Sequence, residues 1–179
     1  MIDIRLWEKT DEDKNLSFAK NLVVFAEKQK SIPDNDFDSE RDKMVIVFDG
    51  DIFEEKVQGY DELIAHIEKT DIAAVSNPGF ELFLILHIDG GYEQRIKGYE
   101  QEYLTMDENG SYSYAYNVLL ELTGMNAKKN SKIGNLADNV LTAIEQEKKI
   151  NQDIHEIKGK VSCNIGKIIE MIINEKPNI

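Results

Sequence analysis

Ile2, Ile4 and Leu6 alternate with Asp3 and Arg5 at the start of the chain, the period-two pattern of a strand with one face buried. A polar stretch follows, in which Asn15 is suited to cap a helix. From Ser17 to Lys30 the apolar residues Phe18, Leu22, Phe25 and Ala26 recur at helical spacing, which predicts an amphipathic helix. Pro33 and the acidic residues from Asp34 to Asp42 mark a loop. "KMVIVFD" is then a continuous apolar run ending in a carboxylate, the pattern of a strand covered on both faces. "YDELIAHIEK" returns to helical spacing through Tyr60, Leu63, Ile64 and Ile67, and "DIAAVS" reads as another short buried strand. Strands alternating with helices predict parallel βαβ units with right-handed crossovers, a doubly wound α/β core over residues 1–90.

The pattern changes in the second half. "FELFLILHI" is apolar nearly all round and suits a buried helix, with Asn77-Pro78 marking its start. Beyond Gly90-Gly91 the spacing predicts helices over residues 92–104, 112–123, 134–149 and 163–174, an extension over 91–179 packed on the core. No internal repeat is visible, and biased composition is confined to "NAKKNSK", residues 126–132.

Bulk properties narrow the class. A chain of 179 residues with 41% hydrophobic content suits one domain with a real core. No apolar run reaches the roughly 20 residues of a bilayer span, and no signal-peptide pattern follows Met1, so a cytoplasmic protein is expected. Cys163 stands alone, which excludes a disulfide framework and a cysteine-rich zinc site. A formal net charge of −13 argues against general nucleic-acid coating, since phosphate binding needs clustered Lys and Arg. It leaves room for a metal-dependent nuclease with a local basic patch, and it fits a basic protein partner.

The candidate chemistry lies at the ends of the predicted strands. Asp49-Gly50-Asp51 follows the apolar run, where open α/β sheets bind their ligands. Residues two apart in extended chain share a face, and Gly50 allows a sharp exit. Two carboxylates from one loop suit Mg²⁺, with Mn²⁺ as the substitute. Solvated carboxylates ending a strand are the bland alternative. Such a pair serves Toprim-type nucleases, haloacid-dehalogenase-type phosphatases and many glycosyltransferases. The phosphatase pattern expects Thr or Val where this chain has Ile52. In "AAVSNPGFELFLILHI" Glu81 sits inside an apolar run, a costly place for a charge without a partner. Either a lysine or backbone donor holds it, or it supports the metal site across the crevice. His87 suits a hydrogen-bonded core residue better than a ligand. Lys128 and Lys129, with Lys148, Lys149, Lys158 and Lys160, either form a basic face for DNA or RNA or are solvated surface. Tyr112, Tyr114 and Tyr116 suit packing more than base stacking.

Together, "VIVFDGD", "VSNPGFELFLILHI" and "VSCNIGKIIEMI" resemble the RloB/AbiLii family, across most of the chain. The resemblance implies a Toprim-like (Rossmann-like) parallel sheet with a helical C-terminal extension. It also implies a role in bacterial antiphage defence and abortive infection beside an ABC/SMC-like ATPase. Asp49 and Asp51 would be Mg²⁺ ligands, Glu81 a supporting catalytic residue, and Ser76 and Asn77 the crevice floor. The implied reaction is metal-assisted hydrolysis of a phosphodiester in DNA or RNA. A Toprim-type site would also have a glutamate on an earlier strand. No Glu-Gly turn precedes "MIDIRLW", which aligns with the second strand, and Glu8 in "WEKTDED" is a poor match. The alternatives are a non-catalytic interaction subunit of the same kind of complex and a haloacid-dehalogenase-type phosphatase.

Overall fold

The computed structural model describes residues 4–6, 19–50, 59–105, 114–126 and 129–174. Helix α1 (Ala19–Lys30) leads through a short 3-10 turn at Pro33–Asn35 into strand β1 (Val45–Asp49). Helix α2 (Tyr60–Ile67), strand β2 (Ile72–Asn77) and helix α3 (Phe80–Leu86) follow. The chain continues through a π-helical turn at Tyr92–Ile96, α4 (Glu100–Leu104) and α5 (Tyr114–Thr123). A 3-10 segment at Ser131–Asn139 runs into α6 (Val140–Glu147), and strand β3 (Ser162–Cys163) precedes α7 (Ile165–Asn174). The result is a mixed α/β fold around an open sheet of three strands among the described residues, in the order β1-β2-β3.

Strands β1 and β2 are parallel, with Val45 opposite Ile72 and Asp49 opposite Ser76. Their helical connection follows from the alternation of apolar runs and amphipathic spacing in the sequence. Strand β3 departs from the expected all-parallel sheet. It pairs antiparallel with the end of β2, Ser76 opposite Cys163 and Asn77 opposite Ser162. Two residues of strand at the head of an apolar helix carry no period-two signal, so the sequence reads them as part of the helix. One step further, the side chain of Asn164 continues the ladder. Its Oδ1 accepts Val75 N–H at 2.7 Å, and its Nδ2 donates to Ala73 O at 2.9 Å.

The sheet separates two apolar cores. On one side Ile46, Phe48, Ala73 and Val75 meet Ala19, Val23 and Ala26 of α1 and Leu63, Ile64 and Ile67 of α2. On the other side Ala74 meets the apolar faces of α3, α5, α6 and α7. Strand β1 is not covered on both faces as its apolar run predicts. Val45 and Val47 are 41% and 45% exposed, because α3 and α7 pack over β2 while β1 is the outer strand of the described sheet. The strand expected at the chain start is also not seen where it can be judged. Residues 4–6 have no regular structure, and Ile4 and Leu6 are exposed. Arg5 Nη1 there donates to Asn35 O.

Buried polar groups brace this arrangement. Asp71, at the entrance to β2, accepts Met44 N–H at 3.0 Å and pairs with Lys30 of α1. Glu147, the last residue of α6, is fully buried and accepts the Gly166 and Lys167 N–H groups at 2.6 and 2.9 Å. Those are donors of the first turn of α7, which otherwise lack partners inside the helix. Burial, with Glu147 beside it, pushes the Cys163 thiol well above its ordinary value, consistent with a core residue rather than a nucleophile.

Candidate functional site

The carboxyl ends of β1 and β2 lie side by side, and the crevice expected there in an open α/β sheet would be bounded by two walls. Its first wall is Asp49, half-buried at the end of β1. Its second is the turn Ser76-Asn77-Pro78-Gly79 between β2 and α3, which contains a cis Asn77-Pro78 bond. Gly50 N–H donates to Ser76 O at 2.8 Å, so the exit of β1 stays fastened to β2. Ser76 is buried, and its hydroxyl donates to Gly79 O at 2.7 Å, closing the turn.

That turn brings two carboxylates to one glycine. A Cβ on Gly79 would stand 3.1 Å from Glu81 Oε2 and 3.8 Å from Asp49 Oδ1. Asp49 Oδ1 also accepts Phe80 N–H at 2.8 Å, so it caps α3, whose Gly79 has no side chain for the task. Glu81 is half-buried in the first turn of α3, and no hydrogen bond or ion pair holds it among the described residues. The lysine or backbone donor that a purely structural Glu81 requires is therefore not found there.

Asn77 sits behind the crevice with no solvent exposure. Its Nδ2 donates to Ile157 O at 3.2 Å and Lys160 O at 2.9 Å. Its Oδ1 has no hydrogen-bond partner among the described residues and lies 3.0 Å from the position of a Cβ on Gly50. Ser76 and Asn77 thus shape the floor and hold the turn from within. Carboxylate oxygens are the donors a hard cation prefers, so Asp49 and Glu81, both close to Gly79, suit Mg²⁺ in kind. Asp51, expected to join Asp49, lies outside the described residues, as does Lys128. Among the described residues no group of three His, Cys, Asp or Glu side chains is arranged to hold a metal.

The remaining candidates disperse. Lys129 N–H donates to Asn126 O, and no contact among the described residues links its side chain to Asp49 or Glu81. Lys148 pairs with Glu145 and Glu170, Lys149 with Glu93, and Lys160 with Glu156. His87 is a buried core residue, its Nδ1 2.9 Å from Phe83 O and its ring edge-on to Phe83 at 4.7 Å. Burial lowers its pKa, against a smaller opposing effect of that hydrogen bond. Tyr114 packs edge-on against Tyr103 at 5.0 Å, and Tyr116 is buried. Tyr112 lies outside the described residues.

Two residues escaped the sequence reading of the site: Gly79, as the point where the carboxylates meet, and Asn164, as the prop beneath β2. A glycine two residues before a glutamate is a weak signal. The pairing of Asn164 with Val75 spans too much chain to leave any.

Fold and site define a mixed α/β protein with two carboxylates brought together at the ends of its parallel strands. The chain belongs to the RloB-like protein family, whose sequence model matches residues 2–172. No curated protein and no solved structure matches it.

Proposed function

We propose that this chain is a Mg²⁺-dependent nuclease of Toprim-like type, hydrolysing phosphodiesters in DNA or RNA. We place it as the effector of an antiphage or abortive-infection system with an ATPase partner. The observation that carries the reading is the approach of Asp49 and Glu81 to Gly79 at the carboxyl ends of β1 and β2. In open α/β sheets that crevice is where ligands bind.

Asp49 and Asp51 would hold the metal and Glu81 would support it. Once bound, the metal supplies charge neutralisation at a phosphate and a water of lowered pKa. The protein's share is placement. Phe80 N–H fixes one oxygen of Asp49. The Ser76–Gly79 hydrogen bond keeps the turn closed, so Glu81 remains directed at the same space. Gly50 lets the side chain of Asn77 pack directly against the exit of β1, and Gly79 lets Glu81 and Asp49 approach the turn. A half-buried Glu81 with no cationic partner among the described residues also suits accepting a proton from a nucleophilic water.

The test is cleavage of labelled DNA and RNA by the purified chain in Mg²⁺ or Mn²⁺, alone and with a candidate ATPase partner. Metal-dependent cleavage that disappears in Asp49→Ala supports the reading. No cleavage of either nucleic acid under any of these conditions sinks it. A second reading, a non-catalytic interaction subunit, draws on Asp49 already serving as the cap of α3. It predicts ATPase binding that survives Asp49→Ala.

A further inference from the structure

The side-chain amide of Asn77 joins the crevice to a turn far along the chain. The two carbonyls that accept from its Nδ2, those of Ile157 and Lys160, bracket Lys158 and Gly159. Lys160 N–H donates to Ile157 O at 2.9 Å, and Gly159 has a left-handed φ of 69°, so residues 157–160 form a tight turn. Ile157 is buried in the core shared with α1 and α2, which anchors the turn at one end. On the crevice side, Asn77 Cβ and Oδ1 lie 2.9 and 3.0 Å from the position of a Cβ on Gly50, immediately after Asp49. The turn, the floor and the exit of β1 are therefore one connected unit.

The turn carries a lysine that differs from its neighbours. Lys148, Lys149 and Lys160 are each engaged by a carboxylate. Lys158 is exposed and makes no ion pair or hydrogen bond among the described residues. The setting calls for such a cation, because a chain of net charge −13 with two carboxylates in its crevice repels a polyanion. A lysine acts on phosphate as a point charge and needs no bidentate geometry.

We propose that Lys158 contacts a phosphate of the bound nucleic-acid strand at the rim of the crevice, and that Asn77 is the positioning residue that holds its turn there. The assignment rests on the nuclease reading for its ligand class. The contact sets affinity and registers the strand across the carboxylates without selecting a base.

The test is fluorescence anisotropy of labelled DNA and RNA oligonucleotides, single-stranded and duplex, titrated with the full chain at several salt concentrations in EDTA. Lys158→Gln should weaken binding and reduce the slope of log K against log salt by about 0.7 for a single strand or about 0.9 for a duplex. Lys158→Arg should restore both. Lys160→Gln should change little, since that charge is already paired with Glu156. Asn77→Ser, too short to span both carbonyls, should reproduce the loss, and adding Lys158→Gln to it should cost nothing further. Lys158 is exposed, so its variants remain interpretable even where Asn77→Ser does not fold. An unchanged affinity and slope in Lys158→Gln, beside a wild type that binds and cleaves, overturns this inference alone. A wild type that neither binds nor cleaves overturns the nuclease reading with it.

Discussion

Asp49 and Glu81 differ in how much structure depends on them. Asp49 both caps α3 and faces the crevice, whereas Glu81 has no structural partner among the described residues. Glu81→Gln should therefore leave thermal stability unchanged while lowering the cleavage rate about 10- to 100-fold, the usual effect of losing a supporting group at a metal site. Equal cleavage by Glu81→Gln and wild type would remove Glu81 from the site. Gly50 gives the opposite case. A Cβ there would stand 2.9 Å from Asn77 Cβ, so Gly50→Ala should destabilise the fold by about 1–3 kcal/mol, read from urea denaturation midpoints. At this scale the candidate carboxylates were legible, because an acid directly after an apolar strand or inside an apolar helix breaks a local pattern. Asn77, Asn164 and Glu147 act on partners distant in sequence, and no local pattern marks them.

Among the elements, the long amphipathic segments were legible and their interruptions were not. The periodicity over 92–104 continues past Gly98, yet Gly98 has φ 84° and separates the π-helical turn from α4. The run over 134–149 divides into a 3-10 segment and α6. Packing decides these points, because the same apolar spacing tolerates either hydrogen-bond pattern at a helix end. Two braces between elements are open to measurement. Burial raises the Asp71 carboxyl pKa, but hydrogen bonds from Lys30, Met44 N–H and Thr70 outweigh it and leave the group below its ordinary 3.8. A carboxyl lowered on folding stabilises above its unfolded pKa, and that contribution is lost as pH falls through the folded value. Urea midpoints of the wild type should thus drop more steeply than those of Asp71→Asn as pH is taken from neutrality to below 3.8. Parallel curves would show that the pair does not couple α1 to the sheet. Glu147→Ala leaves the Gly166 and Lys167 N–H groups without their acceptor and should cost about 3 kcal/mol, given the usual penalty for unsatisfied buried donors. Retention of wild-type stability would mean that water replaces the carboxylate.

For the molecule as a whole, the two cores on either side of the sheet are apolar. On the nuclease reading, chelation should abolish cleavage and leave the circular dichroism spectrum unchanged. Mg²⁺ at 100 times its Kd should raise stability by about 2.7 kcal/mol in the wild type and by much less in Asp49→Ala. An equal rise in both would place the cation elsewhere on this acidic surface. No helix among the described residues is long and apolar enough to cross a membrane.

The sequence by itself determined the alternation of strand and helix from β1 to α3, the buried character of α3, and the acids at the ends of the strands. Each is written in local periodicity and in the chemistry of adjacent residues. Only the tertiary structure decided that β1 is the outer strand of the described sheet, that a two-residue β3 joins β2 antiparallel, and that Asp49 and Glu81 meet at Gly79. It also decided that Asn77 ties the crevice to the turn bearing Lys158. These outcomes depend on which distant surfaces pack together and which buried polar groups find partners, and a hydrogen bond across some 80 residues imposes no pattern on the residues between.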